Sequence, residues 1–188
     1  EVAEDDEVKS VSNEVTYARD LETREDIEAA LSTISAKVGR RLRRKGLKGR
    51  TVAVKVRYDN RTTRSAQCAL PAPTDDDIAF APVAHRLAQE LWAPGMKVRL
   101  LGVAVTHFEE DGAPVQETLF DAAALGGDDR ADATQGAALI RDEKKRRSLL
   151  AATDALQERF GDGTVRFGFE LRQSGNTTGS SSKNVEDY

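Results

Sequence analysis

Thr51 to Leu70 reads TVAVKVRYDNRTTRSAQCAL. Val52, Val54, Val56 and Tyr58 alternate with Thr51, Ala53, Lys55 and Arg57. That period of two belongs to a strand with one buried and one wet face. Asp59, Asn60 and Arg61 supply turn chemistry, and TTRSAQCAL, Thr62 to Leu70, reads as a second strand. The pair predicts an antiparallel β-hairpin. A hairpin alone is marginally stable in water, so the fold depends on what flanks it.

On the N-terminal side, KSVSNEVTYA (Lys9 to Ala18) is rich in β-branched and polar residues and predicts a strand. Thr23 followed by Asp26 has the spacing of a capping box. Ile27, Leu31, Ile34, Val38 and Leu42 then fall on one helical face, and Gly46 supplies the left-handed stop. On the other side, PAPTDDD predicts the start of a second helix with Thr74 as its cap, running through Leu87 and Leu91 to Trp92. Pro82 predicts an irregular first turn. KVRLLGVAVTHF (Lys97 to Phe108) is apolar enough for a central strand. Residues 9–108 thus read β-α-β-β-α-β, an α+β fold whose four-stranded sheet carries two helices on one face and leaves the other free.

Residues 1–8, EVAEDDEV, read as the end of a linker, and an opening on Glu1 is expected of a segment of something longer. Residues 109–140 are dominated by Asp, Glu, Ala and Gly, too little apolar surface to fold alone, and read as a flexible linker. Inside that run stands QETLF, Gln116 to Phe120, an isolated Leu–Phe pair. Residues 141–172 open with RDEKKRRSLLAATDALQERFG, a third helix with Leu149, Leu150, Leu156 and Phe160 on its apolar side and a stop at Gly161. The Ser/Gly-rich residues 173–188 read as a disordered tail.

The formal net charge of −4 conceals an asymmetry. Lys9 to Phe108 holds 18 Lys/Arg against 11 Asp/Glu; Glu109 to Tyr188 holds 10 against 16. Within Lys37 to Arg64 there are 12 basic residues and one acid, Asp59. No run approaches the roughly 20 apolar residues that cross a bilayer, and the acidic N-terminus has no secretory pattern. One cysteine, Cys68, excludes an internal disulfide and fits a cytoplasmic location. It also excludes a cysteine-based zinc site, and His85 and His107 are too far apart in sequence to suggest a metal site.

The candidate binding residues lie on the strands. Lys9, Ser10 and Ser12 on the first, Arg61, Thr63, Arg64 and Ser65 on the third, and Arg99 on the fourth mix cations with hydroxyls. Phosphate oxygens accept hydrogen bonds from these groups. Lys48 and Gly49 in KGLKGR add a turn whose amides suit one more phosphate. The strands lack interleaved aromatics, so base stacking is not supported and the implied contact is with backbone, indifferent to sequence. For RRLRRKGLKGR a plain solvated helix end is an equal reading, since exposed Arg and Lys are ordinary there. Asp75 to Asp77 at a helix start complement the helix dipole rather than bind metal.

KSVSNEVTYARDL, RRLRRKGLKGRTVAVKVRY, TRSAQCALPAPTDD and VRLLGVAV, in that order over about 100 residues, resemble the little-finger domain of Y-family DNA polymerases, in the bacterial DinB-type (DNA polymerase IV) branch. ERFGDGTVRFG resembles the C-terminal end of many such chains. The resemblance implies a domain that holds template–primer duplex DNA by its backbone across the major groove, with KSVSNE and TTRS as phosphate-contacting stretches. It implies that QETLF is a peptide for the sliding clamp, Gln116 hydrogen bonding and Leu119 and Phe120 filling the clamp's pocket. It also implies that the catalytic acids and their magnesium ions belong to a palm domain whose motifs are not in this chain, so the segment itself holds no catalytic residue, metal or cofactor. The expected state is a monomer. A non-catalytic accessory protein bridging DNA and clamp shares every one of these features; a ferredoxin-like RNA-binding module is a further alternative, disfavoured by the missing sheet-face aromatics.

Overall fold

The hairpin forms as the alternation requires. A computed structural model describes residues 8–109, 132–161, 165 and 177–181, and in it β2 (Gly49–Tyr58) pairs antiparallel with β3 (Thr63–Thr74). Tyr58 N–H donates to Thr62 O (2.9 Å) and Arg61 N–H to Tyr58 O (3.1 Å), closing a three-residue loop. Arg61 takes the left-handed conformation (φ 66°) that ends such loops. The Asp59 and Asn60 carboxyl and amide oxygens accept from Asn60 N–H (2.8 Å) and Thr62 N–H (2.9 Å), which is why those residue types sit here.

α1 (Arg24–Lys45) is bounded by its predicted caps. Thr23 Oγ1 accepts from Asp26 N–H (3.1 Å) and donates to the Asp26 carboxylate (2.7 Å). The acid therefore meets the cap's hydroxyl, a variant of the box. Gly46 (φ 65°) donates to Arg43 O and Leu47 N–H to Leu42 O, the two bonds of a Schellman motif. Ile34, Val38 and Leu42 are wholly buried on the face read from the sequence, each contributing about 1.5–3 kcal/mol by transfer from water.

Two boundaries differ from expectation. β3 runs past Leu70 through Pro71 and Pro73, which an edge strand tolerates because its outer amides need no ladder partner. Thr74 therefore ends a strand, and Asp76 caps α2 (Asp77–Leu91), accepting from Ile78 N–H and Ala79 N–H. α2 continues through Pro82. The carbonyl deprived of its donor is that of Ile78, a residue 39% exposed. Asp77 does more than complement the dipole. Its carboxylate pairs with Arg43 Nη1 at 2.6 Å, both side chains largely buried.

β4 (Val98–Phe108) is central as predicted, between β2 and β1 (Ser10–Leu21). The sheet order is β3-β2-β4-β1-β5, all antiparallel. The outermost strand, β5 (Thr177–Ser181), corrects the expectation of a wholly disordered tail: it pairs with the edge of β1, Thr16 opposite Gly179 and Glu14 opposite Ser181. The core lies between the sheet and α1 and α2, built from Val11, Val15, Val52, Val54, Leu101 and Val103 against Leu31, Ile34, Phe80 and Leu87.

Residues 110–165 form a separate unit. Its α3 (Asp132–Phe160) begins within the stretch read as linker, and Gly161 (φ 93°) ends it where predicted. Leu150 is buried, but Leu149, Leu156 and Phe160 are 51%, 44% and 59% exposed, so the apolar side read from the sequence is largely uncovered. The Arg159 guanidinium lies 5.3 Å over the Phe160 ring.

Candidate nucleic-acid interface

Residues directly opposite in a ladder share a face, so the register maps the uncovered side of the sheet. Four rows cross it from β3 through β2 and β4 to β1. They are Thr63, Arg57, Leu100, Thr16; Ser65, Lys55, Gly102, Glu14; Gln67, Ala53, Ala104, Ser12; and Ala69, Thr51, Thr106, Ser10. Six residues apart along a strand, the first and last rows are separated by about 20 Å.

Ser10, Ser12, Thr63 and Ser65 occupy this open face as expected, and exposed Lys9 sits one residue before β1 beside Ser10. Arg61 projects at the hairpin tip and Lys48 lies exposed before β2, at the opposite end. Three expectations are altered. Arg64 lies opposite Val56, so it faces the helix side with Ala66 and Cys68 and not the open face. Gly49 is buried: a Cβ there would overlap Val105 Cγ1 and come within 3.0 Å of Thr106 O. Its glycine serves close packing against β4 rather than an exposed amide nest. Arg99 is on β4, but its guanidinium pairs with Asp20 at 2.7 Å, which offsets its charge.

Two open-face cations were passed over. Arg57 is exposed in the first row and donates Nε–H to Thr63 Oγ1 (3.2 Å). Lys55 stands at the middle of the sheet, its Nζ donating to both Glu14 oxygens (2.9 and 3.2 Å). The outward positions of the β2 alternation were the signal that could have found both. A phosphate-binding reading of this face thus has cations at its two ends and a paired charge between them.

Two of the three acids at the start of α2 have structural work for their carboxylates, and Asp75 contributes its backbone carbonyl. Asp75 O accepts from Arg43 Nη1 (3.0 Å), Asp76 caps the helix and Asp77 pairs with Arg43. Burial pushes the Asp77 carboxyl above the ordinary aspartate value, with Arg43 acting in the opposite sense. Among the described residues no three His, Cys, Asp or Glu side chains cluster as metal ligands, and no helix is long and apolar enough to cross a membrane. Gln116, Leu119 and Phe120 lie outside the described residues.

The chain is 32% identical over 157 residues to a DNA polymerase IV of Desulfatibacillum aliphaticivorans, covering 84% of this chain and 35% of that protein. It is 31% identical over 171 residues to one of Acetivibrio thermocellus, covering 89% and 38%, and 41% identical over 103 residues to one of Lactococcus lactis, covering 54% and 28%. The chain therefore spans about a third of the length of these relatives. Among solved structures it is similar to the little-finger domain of a PolIV in complex with a beta-clamp processivity factor, at 23% identity, 58% of this chain, 97% of that one and a TM-score of 0.46. The family model for the impB/mucB/samB C-terminal domain matches residues 8–119, so the whole β-α-β-β-α-β unit and the residues just after it fall within one description, and the chain belongs to that family.

Proposed function

We propose that this chain is the DNA-gripping and clamp-tethering portion of an error-prone translesion DNA polymerase, acting in the cytoplasm as a monomer. The observation that carries the proposal is the open sheet face, with cations and hydroxyls at both ends in a chain whose relatives are named DNA polymerase IV. Lys9, Lys48, Arg57 and Arg61 meet backbone phosphates, while Ser10, Ser12, Thr63 and Ser65 donate hydrogen bonds to phosphate oxygens. The contact is independent of sequence because these rows offer no aromatic to stack on a base. Gln116, Leu119 and Phe120 form the tether to the sliding clamp, the glutamine hydrogen bonding and the Leu–Phe pair filling an apolar pocket. Nucleotidyl transfer and its magnesium ions belong to the polymerase's catalytic domain, and no step of that chemistry is assigned to the residues of this chain.

Four phosphate contacts release counterions with a slope of about −3.6 in log affinity against log salt, or roughly 10²-fold weaker binding at 200 than at 50 mM. Titration of a labelled primer–template duplex with the full 188-residue chain measures this; binding that ignores salt refutes the grip. Phe120→Ala removes binding to the clamp and leaves duplex affinity unchanged, whereas loss of both assigns Phe120 to packing.

A further inference from the structure

Lys55 and Glu14 are not on neighbouring strands. β4 runs between them, and the residue lying between is Gly102, opposite Lys55 on one side and Glu14 on the other. Two strand spacings separate the backbones by about 10 Å, so both side chains must lie down across β4 to meet. Only glycine permits this, since a Cβ at 102 would stand 2.8 Å from Glu14 Cγ. The resulting pair is open to solvent, its lysine side chain 38% and its glutamate 27% exposed.

The placement matters because Lys55 is the central cation of the face. Around it the nearest open-face neighbours are Ser65, Ala53, Arg57 and Gly102, none of them acidic. Glu14 is the acid that reaches it, with both carboxylate oxygens at hydrogen-bonding distance. A carboxylate in that position offers what a phosphate would offer, two anionic oxygens to one ammonium. Resting on the DNA-gripping proposal, we infer that Glu14 sets the strength of the grip by occupying Lys55 in place of a DNA backbone phosphate, with Gly102 as the saddle that lets it do so. The middle of the face is thereby held neutral, and the duplex is gripped at the two ends only.

The test is a salt titration of duplex affinity for the full chain and four variants. Glu14→Gln keeps the shape and frees the ammonium. One added phosphate contact steepens the log–log slope by about 0.9 and tightens binding about eightfold at 0.1 M salt. Gly102→Ala, which displaces Glu14 sterically, gives a gain in the same direction by an independent route. Lys55→Gln in the parent leaves the salt slope unchanged, because that lysine makes no phosphate contact, and does not tighten binding, because it bares the Glu14 carboxylate. In Glu14→Gln/Lys55→Gln the gain disappears. A gain that survives in the double variant is a general effect of removing one negative charge and overturns the inference, as does an unchanged Glu14→Gln. Either result leaves salt-dependent binding by the parent, and hence the grip itself, intact. Parent binding that is flat in salt refutes the grip, and the inference with it.

Discussion

Arg57 and Arg64 lie on adjacent strands near the tip of one hairpin, yet the register places them on opposite sides of the sheet. Arg57 stands opposite Thr63 on the open face, and Arg64 stands opposite Val56, whose side chain is in the core. Replacing each by glutamine therefore separates two readings of the same basic segment. For Arg57→Gln the loss is one phosphate contact, about 0.9 in the salt slope. At 0.1 M salt that slope corresponds to about eightfold in affinity, or about 1.2 kcal/mol. The hydrogen bond from Arg57 Nε to Thr63 Oγ1 is also lost, but both groups are exposed and water replaces it cheaply. Arg64→Gln removes an exposed charge from the helix side and should change affinity less than twofold with the slope unaltered. Fluorescence anisotropy of a labelled duplex at four salt concentrations reads both quantities. Equal losses in the two variants, or a larger one for Arg64, would refute the use of strand register to define the interface, since the edge of β3 would then be engaged from both faces.

Two glycines three residues apart should fail for different reasons. At Gly46, whose absent Cβ would meet nothing within 4 Å, alanine costs only the left-handed backbone, about 1–2 kcal/mol, and asparagine recovers part of it. At Gly49 alanine collides with Val105 and Thr106 O, and overpacking of about 1–3 kcal/mol or more follows without rescue by asparagine; urea melts distinguish the cases. Burial holds the His85 imidazole below its ordinary 6.5, with Glu28 acting in the opposite sense. The unfolded chain then binds that proton more readily, so the associated stability is present above the ordinary value and declines as pH falls through it. His85→Gln should flatten that decline between about pH 7 and 5.5 in thermal melts; an unchanged profile assigns the acid sensitivity elsewhere.

The elements themselves were legible because their causes are local. Thr23 and Gly46 bracket α1 through bonds that span three to five residues, and the β2 alternation needs no partner to be read. What was illegible depends on residues distant in sequence. Arg99 looks like a free cation until Asp20, 79 positions away, is brought beside it. Lys55 looks like an ordinary outward lysine until Glu14 arrives from 41 positions away. Thr177–Ser181 has a composition that supports no strand by itself; the unpaired edge of β1 supplies the hydrogen-bonding partner. Gly49 has the look of a turn glycine, and only the approach of Val105 shows what its missing side chain is for.

Arg64 is the most instructive case, because the information was present and the wrong property carried it. Hydropathy gives a strand its period, but phase requires one parity to be more apolar than the other. In β3 the two parities are Arg64, Ala66 and Cys68 against Thr63, Ser65 and Gln67, a contrast too weak to choose between. β2 has no such ambiguity, since its valines alternate with Lys55 and Arg57. The hairpin transfers that phase through its loop. Asp59, Asn60 and Arg61 make a three-residue connection closed by Tyr58 and Thr62, which puts Arg57 opposite Thr63 and Val56 opposite Arg64. Loop length thus fixes the faces of Thr63 to Ala69, ahead of the shift in register, and TTRS divides into Thr63 and Ser65 on the open face and Arg64 on the helix side. A single insertion in the loop that shifted the pairing by one residue would exchange these faces. It would place Arg64, Ala66 and Cys68 on the open side and cost the core the apolar cover those positions provide. The grip on DNA and the packing of the edge strand therefore depend on the same three-residue turn.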